Sequence, residues 1–173
     1  MIRRFALASA ILIAAASATP AMAGTATSNL QVSATVSASC ALTTTALDFG
    51  NYDPTGANSS SGNHLEITGS LTTNCSSGTV ATITLGHGSN GHPLSSDTSP
   101  LRMLKNAAGN QTLSYYLYSS LSPQTTWGNS ASTGVAVTGT GSAATTTIYG
   151  RIPKGQSVQA GSYTDTVVAT VTY

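Results

Sequence analysis

Charge is what this 173-residue chain most lacks. Lys and Arg number six, Asp and Glu five, and charged residues make up 6% of the sequence, against roughly 25% in an average soluble domain. Six cations cannot build the basic face that neutralises a phosphate backbone, so nucleic-acid binding is excluded. Cysteine is nearly absent too: Cys40 and Cys75 are the only two. A zinc centre needs further ligands at short spacing, and none stands near either thiol. There is no G-x-S-x-G elbow. Gly86-His87-Gly88-Ser89-Asn90-Gly91 formally fits G-x-G-x-x-G. It follows a strand but opens no helix, so a dinucleotide site fails on context. What remains is crowded with Ser, Thr, Gly and Val, which is strand and turn chemistry. A hydrophobic share of 40% suffices for a packed core.

Residues 1–23 read as a secretory signal peptide. Arg3 and Arg4 form the positive start, Phe5 to Ala18 the apolar run, and Ala21-Met22-Ala23 the small-residue cleavage site. The run falls short of the roughly 20 residues of a membrane span, and no later segment is a candidate. The mature chain is expected to start at Gly24. Without the two arginines, four cations face five acids, a formal net charge of −1. In an exported protein two thiols pair by default. Cys40 and Cys75 lie 35 positions apart, and closing such a loop contributes about 3–4 kcal/mol in the chain-entropy model.

Strand patterns recur with turn residues between them. Leu30, Val32, Ala34, Val36 and Ala38 alternate with polar residues, and the phase continues through Cys40 and Leu42. It breaks at Thr43-Thr44-Thr45 and resumes on odd numbers at Leu47 and Phe49, which predicts a bulge or a change of sheet. Further strands are expected over Leu65–Cys75, Val80–Leu85, Leu101–Leu104, Leu113–Tyr118, Val135–Val137, Thr145–Ile152 and Tyr163–Tyr173. Strands of this number and spacing, with no helix-period segment, predict an antiparallel β-sandwich.

Candidate chemistry is sparse. His64, His87 and His92 read as solvated loop histidines rather than metal ligands. The five acids at 48, 53, 66, 97 and 165 are scattered, with nothing to mark a catalytic pair. Tyr115, Tyr116 and Tyr118 could form a sugar platform but read first as sheet packing. No catalytic, cofactor or metal site is expected.

The informative segment is Leu30–Ala38. From Leu30 to Leu47 there is no Gly, Pro, Asn or Asp, so no tight hairpin can fold this strand back on the one beginning near Cys40. It should run outward, about 30 Å long at strand rise. An uncovered alternating strand is an aggregation hazard, and a second copy of the chain is its natural partner by strand addition.

These features come with fragments that resemble the spore coat U domain family, which includes subunits of archaic chaperone–usher pili. They are Cys40-Ala41-Leu42, Leu47-Asp48-Phe49-Gly50-Asn51-Tyr52, Cys75-Ser76-Ser77-Gly78, Leu113-Ser114-Tyr115-Tyr116-Leu117-Tyr118, Trp127-Gly128, Ile148-Tyr149-Gly150-Arg151-Ile152, Gly161-Ser162-Tyr163-Thr164-Asp165 and Val171-Thr172-Tyr173. The resemblance implies an immunoglobulin-like sandwich that lacks its last strand and is completed by donor-strand exchange. It assigns residues 24–39 as the donor extension, with Leu30, Val32, Ala34, Val36 and Ala38 entering a neighbour. Residues 40–173 become the domain, with Val167, Ala169, Val171 and Tyr173 bordering the acceptor groove. It also implies other subunits, a periplasmic chaperone and an outer-membrane usher as partners, and a route through the periplasm to the cell surface. The expected role is a structural pilus subunit in adhesion and biofilm formation, not an enzyme. A spore-coat or surface-layer component using the same exchange, and a secreted carbohydrate-binding module, are the alternatives. A two-domain tip adhesin is disfavoured by length.

Overall fold

A computed structural model describes residues 22–173, so the signal-peptide assignment falls almost wholly outside the described residues. The chain divides into two compact units at Thr35. In the first, residues 22–35 carry no strand, and Leu30 and Val32 are 87% and 84% exposed.

The second unit, Val36–Tyr173, holds all the strands among the described residues. These are β1 (Cys40–Thr44), β2 (Leu65–Cys75), β3 (Val80–Leu85), β4 (Arg102–Asn106), β5 (Thr112–Leu121), β6 (Gln124–Thr126), β7 (Val135–Thr138), β8 (Ala143–Ile152), β9 (Tyr163–Thr164) and β10 (Ala169–Thr172), with a 3-10 turn at Ala131–Thr133. One sheet runs β1-β2-β8-β5-β4-β9, with β6 also on β5; the other runs β10-β3-β7. Every pairing is antiparallel. The fold is the immunoglobulin-like β-sandwich.

Alternation sets the inner faces. Leu71, Thr73 and Cys75 of β2, Ala81, Ile83 and Leu85 of β3, Leu113, Tyr115 and Leu117 of β5, and Ile148 and Ile152 of β8 are buried. The polar residues between them face out. Trp127 is fully buried among them, and its indole N–H donates to the Ile83 carbonyl (2.9 Å), the partner a buried Trp requires. Cys40 and Cys75 are register partners in β1 and β2 and are joined by a disulfide.

The phase break after Leu42 is real. Residues 40 and 42 turn inward on even numbers, and Leu47 and Phe49 do so on odd ones. Once β1 ends, Leu47 and Phe49 lie across the first sheet on two glycines. A Cβ at Gly69 would stand 2.5 Å from Leu47 Cδ1, and one at Gly150 would stand 2.9 Å from both Leu47 Cδ2 and Phe49 Cζ. Gly150→Val is therefore expected to push both side chains off their seat and lower stability by about 1–3 kcal/mol. Thermal unfolding of the purified chain measures this; an unchanged melting temperature means that the seat is not tight.

Three strand expectations need correction. β4 begins at Arg102 and runs to Asn106, not Leu101 to Leu104. The strand expected over Tyr163–Tyr173 is broken. β9 pairs with β4 in the first sheet and β10 with β3 in the second, so the chain changes sheets between Asp165 and Val168. Its inward phase nonetheless persists, with 163, 165, 167, 169 and 171 all half-buried. β6 was not expected: it folds back on β5 through Ser122-Pro123 and lies where the sequence reads as loop.

Candidate strand-acceptor groove

An open groove runs between the segment that leaves β1 and the segment that carries β9 into β10. Its narrower part, about 250 Å³, is walled by Thr44–Leu47 and Phe49 on one side and by Asp165, Thr166, Val167 and Ala169 on the other. Leu85, Leu104, Tyr115, Leu117 and Ile148 form its floor. Its wider part, about 460 Å³, is walled by residues 47–52 and 158–163 above Leu104, Leu113 and Ile152. Leu47, Phe49 and Leu104 line both parts, so the two adjoin, and most of their floor is side chains of the core.

Both walls are held from behind. The Tyr52 hydroxyl donates to the Pro153 carbonyl (3.0 Å) and accepts from the Gln156 N–H (2.9 Å). Phe49 packs edge to face on Tyr115, with centroids 5.9 Å apart, a favoured aromatic geometry. Beyond the walls, β1 is hydrogen-bonded to β2 alone and β10 to β3 alone. Each therefore keeps one edge of backbone N–H and C=O groups without a strand partner, and such an edge is a template for another strand.

Of the residues expected at the groove, Val167 and Ala169 line it, and Val171 packs against the core one step further along β10. Tyr173 lies past the end of β10 and is 58% exposed; the alternation that groups it with the others runs out at Val171. Leu30, Val32 and Val36 are exposed, as are Ala34 and Ala38.

Two carboxylates line this trough, Asp48 in its wider part and Asp165 in its narrower part. Asp165 Oδ2 accepts from the Tyr115 hydroxyl (2.7 Å), and its Oδ1 accepts from the backbone N–H of Asn90 and of Thr166. Burial and this carboxylate together push the Tyr115 phenol far above its ordinary range, so it stays protonated and donating. Close by, Arg102 is a buried cation, 1% exposed, whose guanidinium donates to the carbonyls of Gly86, Leu85 and Trp127. Burial pulls it down to about 10, still charged at neutral pH. Nothing in the strand pattern marks Arg102 or Asp165 as special. The one available signal is an arginine amid the apolar residues Leu101, Met103 and Leu104 in a chain with so few cations.

The remaining polar candidates do structural work. His87 is not a solvated histidine: its ring accepts or donates at Ser95 Oγ through Nδ1 and reaches Asp97 Oδ1 through Nε2 (2.9 Å). Ser95 Oγ also accepts from the Leu101 N–H, so this serine–histidine–aspartate row is a loop strut. The His87 and Asn129 bonds hold the Asp97 carboxyl below its ordinary range. His64 accepts from the Lys154 N–H and His92 from the Leu94 N–H. Among the described residues no three His, Cys, Asp or Glu side chains gather as a metal site. Asp48 and Asp53 each close a turn, and Glu66 pairs with Arg151 at 2.7 Å. The tyrosine run is split by the pleat. Tyr115 faces the core, while Tyr116 and Tyr118 stack on the outer face with Arg151 over Tyr118.

The family model for the Spore Coat Protein U domain matches residues 26–170. A curated relative, "Protein U" of Myxococcus xanthus, is 43% identical over 160 residues, covering 89% of this chain and 88% of its own. Among solved structures, the chaperone–tip adhesion subunit pre-assembly complex CsuC–CsuE from the archaic chaperone–usher Csu pili of Acinetobacter baumannii matches at TM-score 0.54 and 20% identity. That match covers 80% of this chain. The chain spans 40% of the length of that structure's chain, and at this identity the likeness is one of fold.

Proposed function

The chain belongs to the Spore Coat Protein U domain family, and from that premise we propose that it is an exported structural subunit that polymerises by donor-strand complementation. Residues 1–23 are its signal peptide, 24–39 the donor extension, and 40–173 the acceptor domain. Leu30, Val32, Ala34, Val36 and Ala38 of one copy enter the groove of the next. There they face Leu47 and Phe49 on one wall and Val167 and Ala169 on the other. The observation that carries this reading is the pairing of opposites. Two adjoining hollows with an apolar floor lie open between two unpaired strand edges, and an alternating apolar segment precedes the first cysteine with its large side chains exposed.

Before assembly the same groove needs temporary cover, and the likeness to a chaperone–subunit complex supports a periplasmic chaperone in that place. An outer-membrane usher and a surface pilus serving adhesion and biofilm formation complete the pilus reading. A second reading keeps the strand exchange but places the polymer in a coat or surface layer. It is favoured by the description of the matching family, a spore coat domain. Neither reading needs catalysis.

The test is the size distribution of the exported chain. The expected result is a ladder of multimers that survives detergent at room temperature and collapses on boiling, because each rung is held by a buried strand. Electron microscopy then assigns filament or layer. A stable monomer that binds a soluble saccharide overturns strand exchange in favour of the carbohydrate-module reading.

A further inference from the structure

The Gly86–Pro100 loop joins β3 to β4 and hydrogen-bonds along the whole break between β9 and β10. Gly86 N–H donates to the Val168 carbonyl (2.9 Å), and Ser89 N–H to the Thr166 carbonyl (2.9 Å). Asn90 Nδ2 donates to the Thr164 carbonyl (3.1 Å) and to Asp165 Oδ1 (3.2 Å), and the Asn90 N–H reaches the same oxygen (3.1 Å). The loop thus takes up the edge of this segment that β3 leaves at Leu85 and β4 leaves at Lys105, where their registers with it end. Successive carbonyls of an extended chain point to opposite edges. With Thr164, Thr166 and Val168 turned to the loop, the carbonyls of Asp165 and Val167 turn to the opposite edge of the segment, and both residues line the groove.

The loop is itself braced at both ends. Its root is fixed from inside by Arg102, whose Nε and Nη2 donate to the Gly86 and Leu85 carbonyls (2.7 and 2.8 Å). Its far end is fixed by the His87 contacts to Ser95 and Asp97, and by the Asp97 carbonyl accepting from the Asn129 N–H (2.7 Å). Gly88 fits between: its φ is +84°, and any Cβ there would collide with Asp165 Oδ2, so the loop can press on Asp165 only with glycine at this point.

We infer that the Gly86–Pro100 loop is a clasp that substitutes for a strand along the outer edge of Asp165–Val168 and so holds this wall of the groove ready for an incoming strand, with Asp165 and Asn90 as its positioning residues. Without the clasp these four residues would have to be ordered at the moment of strand entry, and that ordering opposes binding. The inference rests on the strand-acceptor reading of the groove.

The experiment uses the full mature chain at low concentration with an excess of a fluorescent peptide of residues 28–40. It reads peptide uptake by anisotropy and backbone hydrogen exchange over residues 164–168. In Asn90→Ala, exchange over 164–168 is expected to rise and uptake to slow about tenfold, the penalty of lost pre-organisation. Asp165→Ala removes the partner of Tyr115 as well and should do more. Asn90→Ala keeps the proposal testable should Asp165→Ala fail to fold. Uptake by both variants at the wild-type rate overturns the clasp while leaving the acceptor groove standing. No uptake by the wild-type chain overturns the acceptor reading itself. In that case raised exchange in Asn90→Ala would mark the loop as a brace alone, and the clasp inference would fall with the reading it rests on.

Discussion

A Val32→Asp chain is expected to be exported and folded, to bind whatever covers its own groove, and to form no polymer. Val32 is 84% exposed, so the substitution disturbs nothing within the domain. Inside a neighbour's groove it would meet a floor of leucine, isoleucine and tyrosine with no cation to pair it, and a desolvated carboxylate there is strongly disfavoured. Full burial of one Val or Leu contributes about 1.5–3 kcal/mol, so Leu30, Val32 and Val36 together supply roughly 5–9 kcal/mol before the backbone ladder is counted. Losing the Val32 share alone weakens the junction about ten- to hundredfold, and the buried charge adds to that. Gln31→Asp is the control. It alters the outward face of the same strand and should assemble nearly as the natural chain does. Heat-labile multimer ladders compare the two. Equal ladders would mean that alternation does not choose the buried face, and the donor assignment would lose its residue-level basis.

How far the sequence reveals this molecule depends on whether an element is specified by its own residues or by distant ones. β2 and β3 are legible to their last residue, Leu65–Cys75 and Val80–Leu85, because strict alternation runs between clear turn residues. The phase change from Leu42 to Leu47 is legible for the same reason. β6 is not. Gln124, Thr125 and Thr126 carry no apolar pattern and become a strand only because β5 offers an edge to fold back on. The break in the last strand is also hidden, since Asp165 is held by Tyr115 and Asn90, 50 and 75 positions away. Arg102 is the extreme case. A buried cation is stable only with acceptors around it, and its acceptors come from Leu85, Gly86 and Trp127. One-dimensional pattern thus marks the exposed alternating segment and the apolar residues that line the groove, while the polar contacts that hold the groove in shape come from the fold.

Cys75→Ser is expected to cost about 2–5 kcal/mol, the usual loss when a secreted domain gives up its disulfide, and to lower the melting temperature by roughly 4–20 °C for a chain of this size. The bond matters here because of where it lies. β1 is a five-residue edge strand whose only partner is β2, and it leads directly into the wall of the groove at Thr44–Phe49. β2 is far better held, paired with β8 from Leu65 through Asn74. The disulfide therefore ties a weak edge to a strong interior strand. It does so at Cys40, the residue at which the proposed donor extension meets the domain. A pull on the donor segment of an assembled subunit would reach β2 through the covalent bond, without first peeling β1 from the sheet. In Cys75→Ser that load falls on β1's hydrogen bonds alone. The variant should accumulate poorly in the periplasm, and any polymer it forms should break under shear that leaves the natural polymer intact. Cys40→Ser with Cys75→Ser should match the single variant, since either change removes the same bond. Mass spectrometry of unreduced peptides should find residues 40 and 75 linked in the natural chain. Free thiols at both positions, or a Cys75→Ser chain that melts and shears as the natural one does, would show that hydrogen bonding to β2 is enough to hold β1 in place.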